Sequence, residues 1–246
     1  MTLKLSLQES NCLKGIALIL LLIHHLFYIQ HGQYDDIEIV GHGLVNTLGI
    51  VCKVCVALFV FLSGYGLGLS IQKAPKLDIK RFYIRRFTKL FLNYWFIWLL
   101  FVPIGVLLFD RHLDVVYGED GWLYGILDFL GLLNITGKLG YNPTWWFYSC
   151  IILLYLIFPL IAHTVKRHPN LIWIYLLASI MIIKLPFSFI NPIRYYLFPF
   201  ILGIFFSNYL YLKQLPPARH DPQYVHNVAR LGANKLEECR GVLARV

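Results

Sequence analysis

Hydrophobic positions along the chain form long uninterrupted blocks separated by short polar stretches, and they do not show the amphipathic spacing of soluble helices or strands. A block of about 20 apolar residues is long enough to cross a bilayer as a helix. We therefore predict six spans, at about 12–29, 43–71, 90–109, 144–162, 171–187 and 195–212. The predicted fold class is all-α, a polytopic helical bundle in a membrane.

One apolar stretch, Leu123–Leu133, is too short to cross comfortably and contains Asp128. We predict that it forms a short helix that lies in the membrane interface or packs against the bundle. The chain changes character at residue 213, where three prolines and mixed charges replace the apolar blocks. The predicted domain organisation is a membrane domain over residues 1–212 and a polar cytoplasmic tail over 213–246, either poorly ordered or out of frame.

Charges divide by loop. The stretch between spans two and three carries Lys73, Lys76, Lys80, Arg81, Arg85, Arg86 and Lys89, whereas the stretches before and after it are mainly acidic. Short cytoplasmic loops collect Lys and Arg, so we predict a multi-pass protein of the cell membrane with both termini in the cytoplasm. The net charge of +9 follows this loop pattern, and we predict no nucleic-acid partner.

Five cysteines are scattered through the chain, and Cys52 and Cys55 form a CxxC without a second pair or nearby histidines. We predict neither a metal site nor a disulfide framework.

The first span carries Lys14, His24 and His25 inside an apolar run. Eleven helical residues rotate by about 1100° and rise about 16 Å, so Lys14 and His25 share one face, and His24 points about 100° away. Lys14 could simply extend its ammonium to the headgroups. An ionisable ring at membrane depth costs free energy unless it faces a polar cavity or a partner, so we predict a function for at least one histidine.

Two further stretches carry candidate chemistry. In the second span, FVFLSGY (residues 59–65) supplies the hydroxyls of Ser63 and Tyr65, although its small residues also suit helix packing. The basic stretch RFYIRRFTKLF (residues 81–91) suits anchoring to anionic lipid. It also suits a phosphate-bearing ligand, because paired arginines bind phosphate in bidentate fashion.

Together these stretches resemble acyltransferase family 3, the membrane-bound carbohydrate O-acyltransferases. The family's first helix carries a basic residue followed after ten residues by His, matched by Lys14 and His25, and the FVFLSGY and RFYIRRFTKLF stretches match its next two motifs. TWWFYSCIILLYLIFPLI from Thr144 and LFPFILGIFFS from Leu197 resemble its later helices. The chain departs from the family in having Lys14 for the commoner Arg and no acidic residue between Cys150 and Leu153. The family's core usually has more helices than six, which implies a C-terminally truncated or compact form.

The resemblance implies transfer of an acyl group, usually acetyl, from acyl-CoA to a hydroxyl of a cell-envelope or lipid-linked carbohydrate. It implies no tightly bound cofactor, with acyl-CoA as co-substrate and with the bilayer and the carbohydrate as partners. His25 is then the general base, with Lys14 assisting and His24 beside it. The predicted donor-binding residues are Arg81, Arg85, Arg86, Lys89, Ser63 and Tyr65. Trp145 and Trp146 either stack on the sugar or form an aromatic belt.

Two alternatives stay open. A transporter or exporter component would use the intramembrane histidines as a proton relay. An inactive remnant of an acyltransferase would keep the motifs without a whole pocket.

Overall fold

The computed structural model describes residues 5–28, 38–39, 42–73, 77–185 and 191–214, and nearly all of them are helical. The α-helices in these ranges are α1 (Leu7–Phe27), α2 (Leu44–Cys52), α3 (Val54–Lys73), α4 (Ile79–Phe109), α5 (Leu113–Tyr117), α6 (Gly121–Phe129), α7 (Trp146–Arg167), α8 (Leu171–Met181) and α9 (Leu197–Gln214). Short 3-10 helices cover Leu133–Thr136, Pro143–Trp145 and Ile182–Lys184, and two-residue strands β1 (Glu38–Ile39) and β2 (His42–Gly43) pair antiparallel. The predicted all-α class is confirmed.

Four segments in the described part of the chain are long and apolar enough to cross a membrane: Leu7–Phe27, Leu44–Gln72, Ile79–Phe109 and Pro143–Arg167. Two shorter apolar helices, Leu171–Lys184 and Leu197–Tyr209, lie where spans five and six are predicted. These two apolar segments rise less than the roughly 30 Å of a hydrocarbon core, although α9 itself continues beyond Tyr209 to Gln214. The structure is therefore a helical membrane bundle with four full-length spans and two shorter apolar helices.

Helix α4 begins at Ile79, well before the predicted start near Leu90. The Asp78 side chain caps it by accepting a hydrogen bond of 3.0 Å from the backbone N–H of Arg81. Lys and Arg are good helix formers, and no Gly or Pro interrupts residues 79–89. The basic residues from Lys80 to Lys89 are consequently carried on a continuous helix and not in a loop.

The short helix predicted around Leu123–Leu133 is present as α6, and it packs against α4. The Trp95 indole N–H donates to the carbonyl oxygen of Phe129 at 2.9 Å, and the two rings stack with centroids 5.2 Å apart. The predicted tail lies almost wholly outside the described residues, which end at Gln214 in α9.

The core of the bundle lies where α3, α7 and α9 meet. Val60, Leu67, Phe158, Phe200 and Ile204 are almost completely buried there.

Helices α3 and α9 approach each other through glycines. A Cβ on Gly64 would overlap the carbonyl oxygen of Phe200, and a Cβ on Gly203 would overlap that of Phe61. Close approach of small residues is how membrane helices gain packing contacts, because lipid tails offer no hydrophobic gradient between them.

Candidate active site

A cavity of about 800 Å³ forms at the end of the bundle where α1 begins, α3 ends and α4 begins. Its lining combines apolar side chains with two cations and several hydroxyls. The lining residues are Leu5, Ser6, Leu7, Ser10, Lys14, Phe59, Leu62, Ser63, Tyr65, Gly66, Leu67, Leu69 and Arg86. We call this space the first cavity. It brings together four of the residues that the sequence singles out, from three separate helices: Lys14, Ser63, Tyr65 and Arg86.

Two cationic side chains reach this cavity from different helices. Lys14 on α1 is exposed, and its ammonium contacts the Asn11 side-chain oxygen at 3.4 Å. Arg86 on α4 is also exposed, and its guanidinium carbon lies 5.9 Å from the centroid of the Tyr155 ring. Both heads are thus accessible to a ligand, and the ring gives the guanidinium a favourable resting position.

The hydroxyl groups of the cavity have defined partners. Ser63 Oγ lies 3.5 Å from Tyr155 Oη. Tyr65 is buried, and its Oη accepts a hydrogen bond of 3.1 Å from the backbone N–H of Leu5, which ties the residue before α1 to α3. The sequence pattern did not indicate that Tyr155 belongs to this arrangement, although Tyr155 lies within the family-like stretch that starts at Thr144.

The other basic residues of the predicted donor site, Arg81, Arg85 and Lys89, lie on α4 with exposed side chains, and none of them lines the first cavity. Successive helical residues point about 100° apart, so neighbours such as Arg85 and Arg86 face different directions. The amino-acid composition of this basic stretch does not separate Arg86 from the other three basic residues. Their positions in the fold do, because Arg86 alone of these four lines the first cavity.

The two histidines of α1 have different surroundings. His24 is buried, and its Nδ1 lies 2.8 Å from the carbonyl oxygen of Gly49 on α2. A carbonyl only accepts, so Nδ1 donates, and the ring stacks on Tyr28 with centroids 4.8 Å apart. His25 is exposed, and its ring centroid is 5.2 Å from that of His24. Neither histidine lines the first cavity.

The two tryptophans predicted to bind substrate lie away from the first cavity. Trp145 is buried and meets Tyr94 edge to face, with centroids 5.5 Å apart. Trp146 stacks on Tyr196 at 5.2 Å. Both rings pack against tyrosines.

A buried carboxylate, Asp128 on α6, organises the side of the bundle that packs against α4. Its Oδ2 accepts hydrogen bonds from Tyr117 Oη at 2.5 Å and from the backbone N–H of Tyr141 at 2.9 Å. Tyr94 Oη donates to the Asp128 carbonyl oxygen. Burial raises the pKa of Asp128, and these hydrogen bonds only partly oppose that effect. The sequence indicated only that Asp128 disfavours a membrane span.

Replacing Asp128 with asparagine is expected to change how stability depends on pH. Because its pKa is higher in the folded state, Asp128 contributes stability that is complete below the unfolded carboxyl pKa and is lost as pH rises through the folded value. The thermal unfolding midpoint of the native chain should therefore rise relative to that of Asp128→Asn as pH falls from 8 towards 5. Thermal unfolding in detergent measures it, with the exposed Asp114→Asn as control. A native midpoint that falls relative to that of Asp128→Asn on acidification would mean that the hydrogen bonds outweigh burial.

In the described residues, no group of three or more His, Cys, Asp or Glu side chains is arranged to hold a metal ion. Cys52 and Cys55 are both buried and are free thiols.

The chain matches a known protein family over most of its length. A family model described as an acyltransferase domain, of the acyltransferase family 3 type, matches residues 7–219, which is most of the chain. No curated protein and no solved structure gives a significant match. The match covers all the helices that form the first cavity, together with both histidines. The chain therefore belongs to acyltransferase family 3 and is a membrane-type acyltransferase by family.

Proposed function

We propose that the protein transfers an acyl group, in the simplest case acetyl, from acyl-CoA to a hydroxyl of a cell-envelope or lipid-linked carbohydrate. The observation that carries this proposal is the first cavity, in which Lys14 and Arg86 provide positive charge and Ser63 lines the same space. A membrane acyltransferase needs a place for a large anionic donor, and about 800 Å³ is within the usual range of ligand sites.

The donor's phosphates are the groups that Lys14 and Arg86 would bind. Charge-assisted hydrogen bonds to phosphate are among the strongest in proteins, and a guanidinium offers two parallel donors. Arg81, Arg85 and Lys89 lie on the same end of α4. They would raise the local concentration of an anionic ligand without lining the cavity.

His25 is proposed as the general base. Helix α1 runs without a break from Leu7 to Phe27, so His25 lies on the same face as Lys14 and about 16 Å along the axis. The pantetheine arm of acyl-CoA is a long linear group that suits this direction. The acceptor oxygen attacks the thioester carbonyl carbon while His25 takes the hydroxyl proton, the C–S bond breaks, and the proton passes to the CoA thiolate.

Two routes fit these residues, direct transfer to the carbohydrate and transfer through a transient acyl group on the protein. The acceptor itself is proposed from the family resemblance. The stacking of a sugar on Trp145 or Trp146 stays a prediction, since both rings pack on tyrosines in this structure.

Replacing Lys14 or Arg86 with glutamine should weaken acetyl-CoA binding by about 10- to 150-fold each, because each removes a hydrogen bond to a charged group worth about 1.5–3 kcal/mol. Isothermal titration of the purified chain with acetyl-CoA at low and high salt measures this, and the salt dependence should also become shallower. We expect Arg85→Gln to have a smaller effect than Arg86→Gln, because Arg85 does not line the cavity.

Arg167→Gln serves as a control, since it removes an exposed cation from α7 without touching the cavity. If folded Lys14→Gln and Arg86→Gln bind acetyl-CoA like the native chain, the first cavity is not the donor site. If the native chain neither binds acetyl-CoA nor releases CoA, the proposal of an active acyltransferase fails, and the inactive remnant becomes the better description.

A further inference from the structure

A second cavity, of about 390 Å³, lies between the last turns of α4 and the start of α7. It is at the other end of α4 from the first cavity. Its lining is mainly apolar, with few polar groups. The lining residues are Ile97, Phe101, Ile104, Gly105, Phe109, Arg111, Tyr141, Asn142 and Trp145.

Arg111 is held at the mouth of this cavity by Tyr141. Its Nη2 donates to the Tyr141 carbonyl oxygen at 2.8 Å, and the guanidinium carbon lies 4.5 Å from the centroid of the Tyr141 ring. In return, Tyr141 Oη donates to the Arg111 carbonyl oxygen at 2.9 Å. A guanidinium has five N–H donors, so most of them stay available to a ligand.

The surrounding fold fixes the positions of both Arg111 and Tyr141. The chain leaves α4 through Asp110 in a left-handed conformation (φ 49°), and the backbone N–H of Arg111 donates to the Gly105 carbonyl oxygen at 3.1 Å. Tyr141 is buried, and its backbone N–H is bound by the buried carboxylate of Asp128 at 2.9 Å. The guanidinium is therefore presented in one orientation before any ligand arrives.

The chemistry of the lining selects an amphiphile. Phe101, Ile104 and Phe109 have exposed apolar side chains at the end of a membrane-crossing helix, where hydrocarbon chains lie. Arg111 adds one cation whose planar head binds a phosphate in bidentate fashion. A free sugar would need several hydrogen-bonding partners, and this wall supplies few of them.

Nearby acidic residues limit which anions can bind at Arg111. Asp110 and Asp114 are exposed beside Arg111 in the chain, and neither lines the cavity. They reduce the general attraction of anions to this end of the bundle. A ligand must therefore reach the guanidinium itself, with an apolar group against the wall of α4.

We propose that the second cavity binds an anionic phospholipid of the surrounding bilayer. The phosphate contacts Arg111, and the first part of a hydrocarbon chain lies against Phe101 and Phe109. The site is separate from the proposed donor site, and its only residue shared with the proposed acyl-transfer function is Trp145, so the test of lipid binding does not depend on donor binding.

The test is native mass spectrometry of the full chain, released from detergent after incubation with phosphatidylglycerol, phosphatidylcholine or inorganic phosphate. The native chain should retain phosphatidylglycerol in preference to phosphatidylcholine and should not retain inorganic phosphate at the same concentration. Arg111→Gln should reduce phosphatidylglycerol retention by about 10-fold, because it removes the charged partner. Arg111→Lys keeps the charge but loses the fork, and it should fall between them.

Arg167→Gln is the matched control, because it removes an exposed arginine near a helix end away from the cavity, and it should retain lipid like the native chain. Phe109→Ala tests the apolar wall through an exposed side chain that folding does not require, and it should also reduce retention. Equal retention by folded Arg111→Gln and the native chain, equal binding of the two lipids, or retention of inorganic phosphate alone would each overturn the proposal. If Arg111→Gln does not fold, unchanged retention by Phe109→Ala also overturns it.

Discussion

Gly64→Ala is expected to remove most of the folded protein. The added Cβ would overlap the carbonyl oxygen of Phe200, and because that atom belongs to the backbone of α9 it cannot rotate away. Helices α3 and α9 would have to separate along the core of the bundle. We expect a loss of about 3 kcal/mol or more in unfolding free energy, the upper end of the cost of overpacking. The monodisperse fraction in detergent size-exclusion chromatography and the thermal midpoint measure the loss.

Gly66→Ala is a closely matched control, because it makes the same change in the same helix. A Cβ at Gly66 meets nothing within 4 Å, so this variant should remain as stable as the native chain. Gly203→Ala tests the contact from the other side, since its Cβ would overlap the Phe61 carbonyl oxygen. If Gly64→Ala and Gly66→Ala have the same midpoint, the helices do not meet as closely as described.

His25→Ala is expected to lower acyl transfer by about 10²–10⁴-fold, the usual contribution of a general base. The measurement is the initial rate of CoA release from acetyl-CoA by membranes supplied with crude envelope glycans, divided by the amount of folded protein. His25 is exposed and its removal leaves no buried group unpaired, so the thermal midpoint should hardly change.

Two other variants of α1 make this result specific. Leu22→Ala truncates an exposed side chain on the same helix and should leave the rate unchanged. His24→Ala should lower the midpoint instead, because it removes the hydrogen bond to Gly49 and opens a gap between α1 and α2. A full rate with His25→Ala, or a loss of rate with Leu22→Ala as large as that with His25→Ala, would remove His25 from the mechanism.

The sequence predicted the helices because apolar blocks are local features. It placed the start of α4 too late, since a hydropathy pattern treats Arg and Lys as loop residues although both favour helices. The Asp78 cap was the local signal that could have corrected it. At the fifth and sixth predicted spans the described apolar segments are Leu171–Lys184 and Leu197–Tyr209. Helix α9 as a whole, Leu197–Gln214, is as long as the predicted sixth span.

The candidate site was partly predictable. Lys14, Ser63 and Arg86 were chosen for their chemistry, and the structure places all three around one cavity. Choosing Arg86 over Arg85 requires the rotation of α4 relative to α1 and α3, which no single stretch contains. The hydrogen bonds of Asp128 with Tyr94, Tyr117 and Tyr141 were not predicted, because these residues lie in different segments of the sequence and meet only after folding.

The continuity of α4 also constrains how this protein can change in length. A helix of 31 residues rises about 46 Å, so it extends beyond the roughly 30 Å of hydrocarbon while keeping one angular register. Inserting one residue between Arg86 and Tyr94 would turn Arg86 by about 100° relative to the membrane part of the helix. A loop would absorb the same insertion without effect. Insertions and deletions in this stretch therefore act on the site as directly as substitutions do, although no side chain is altered.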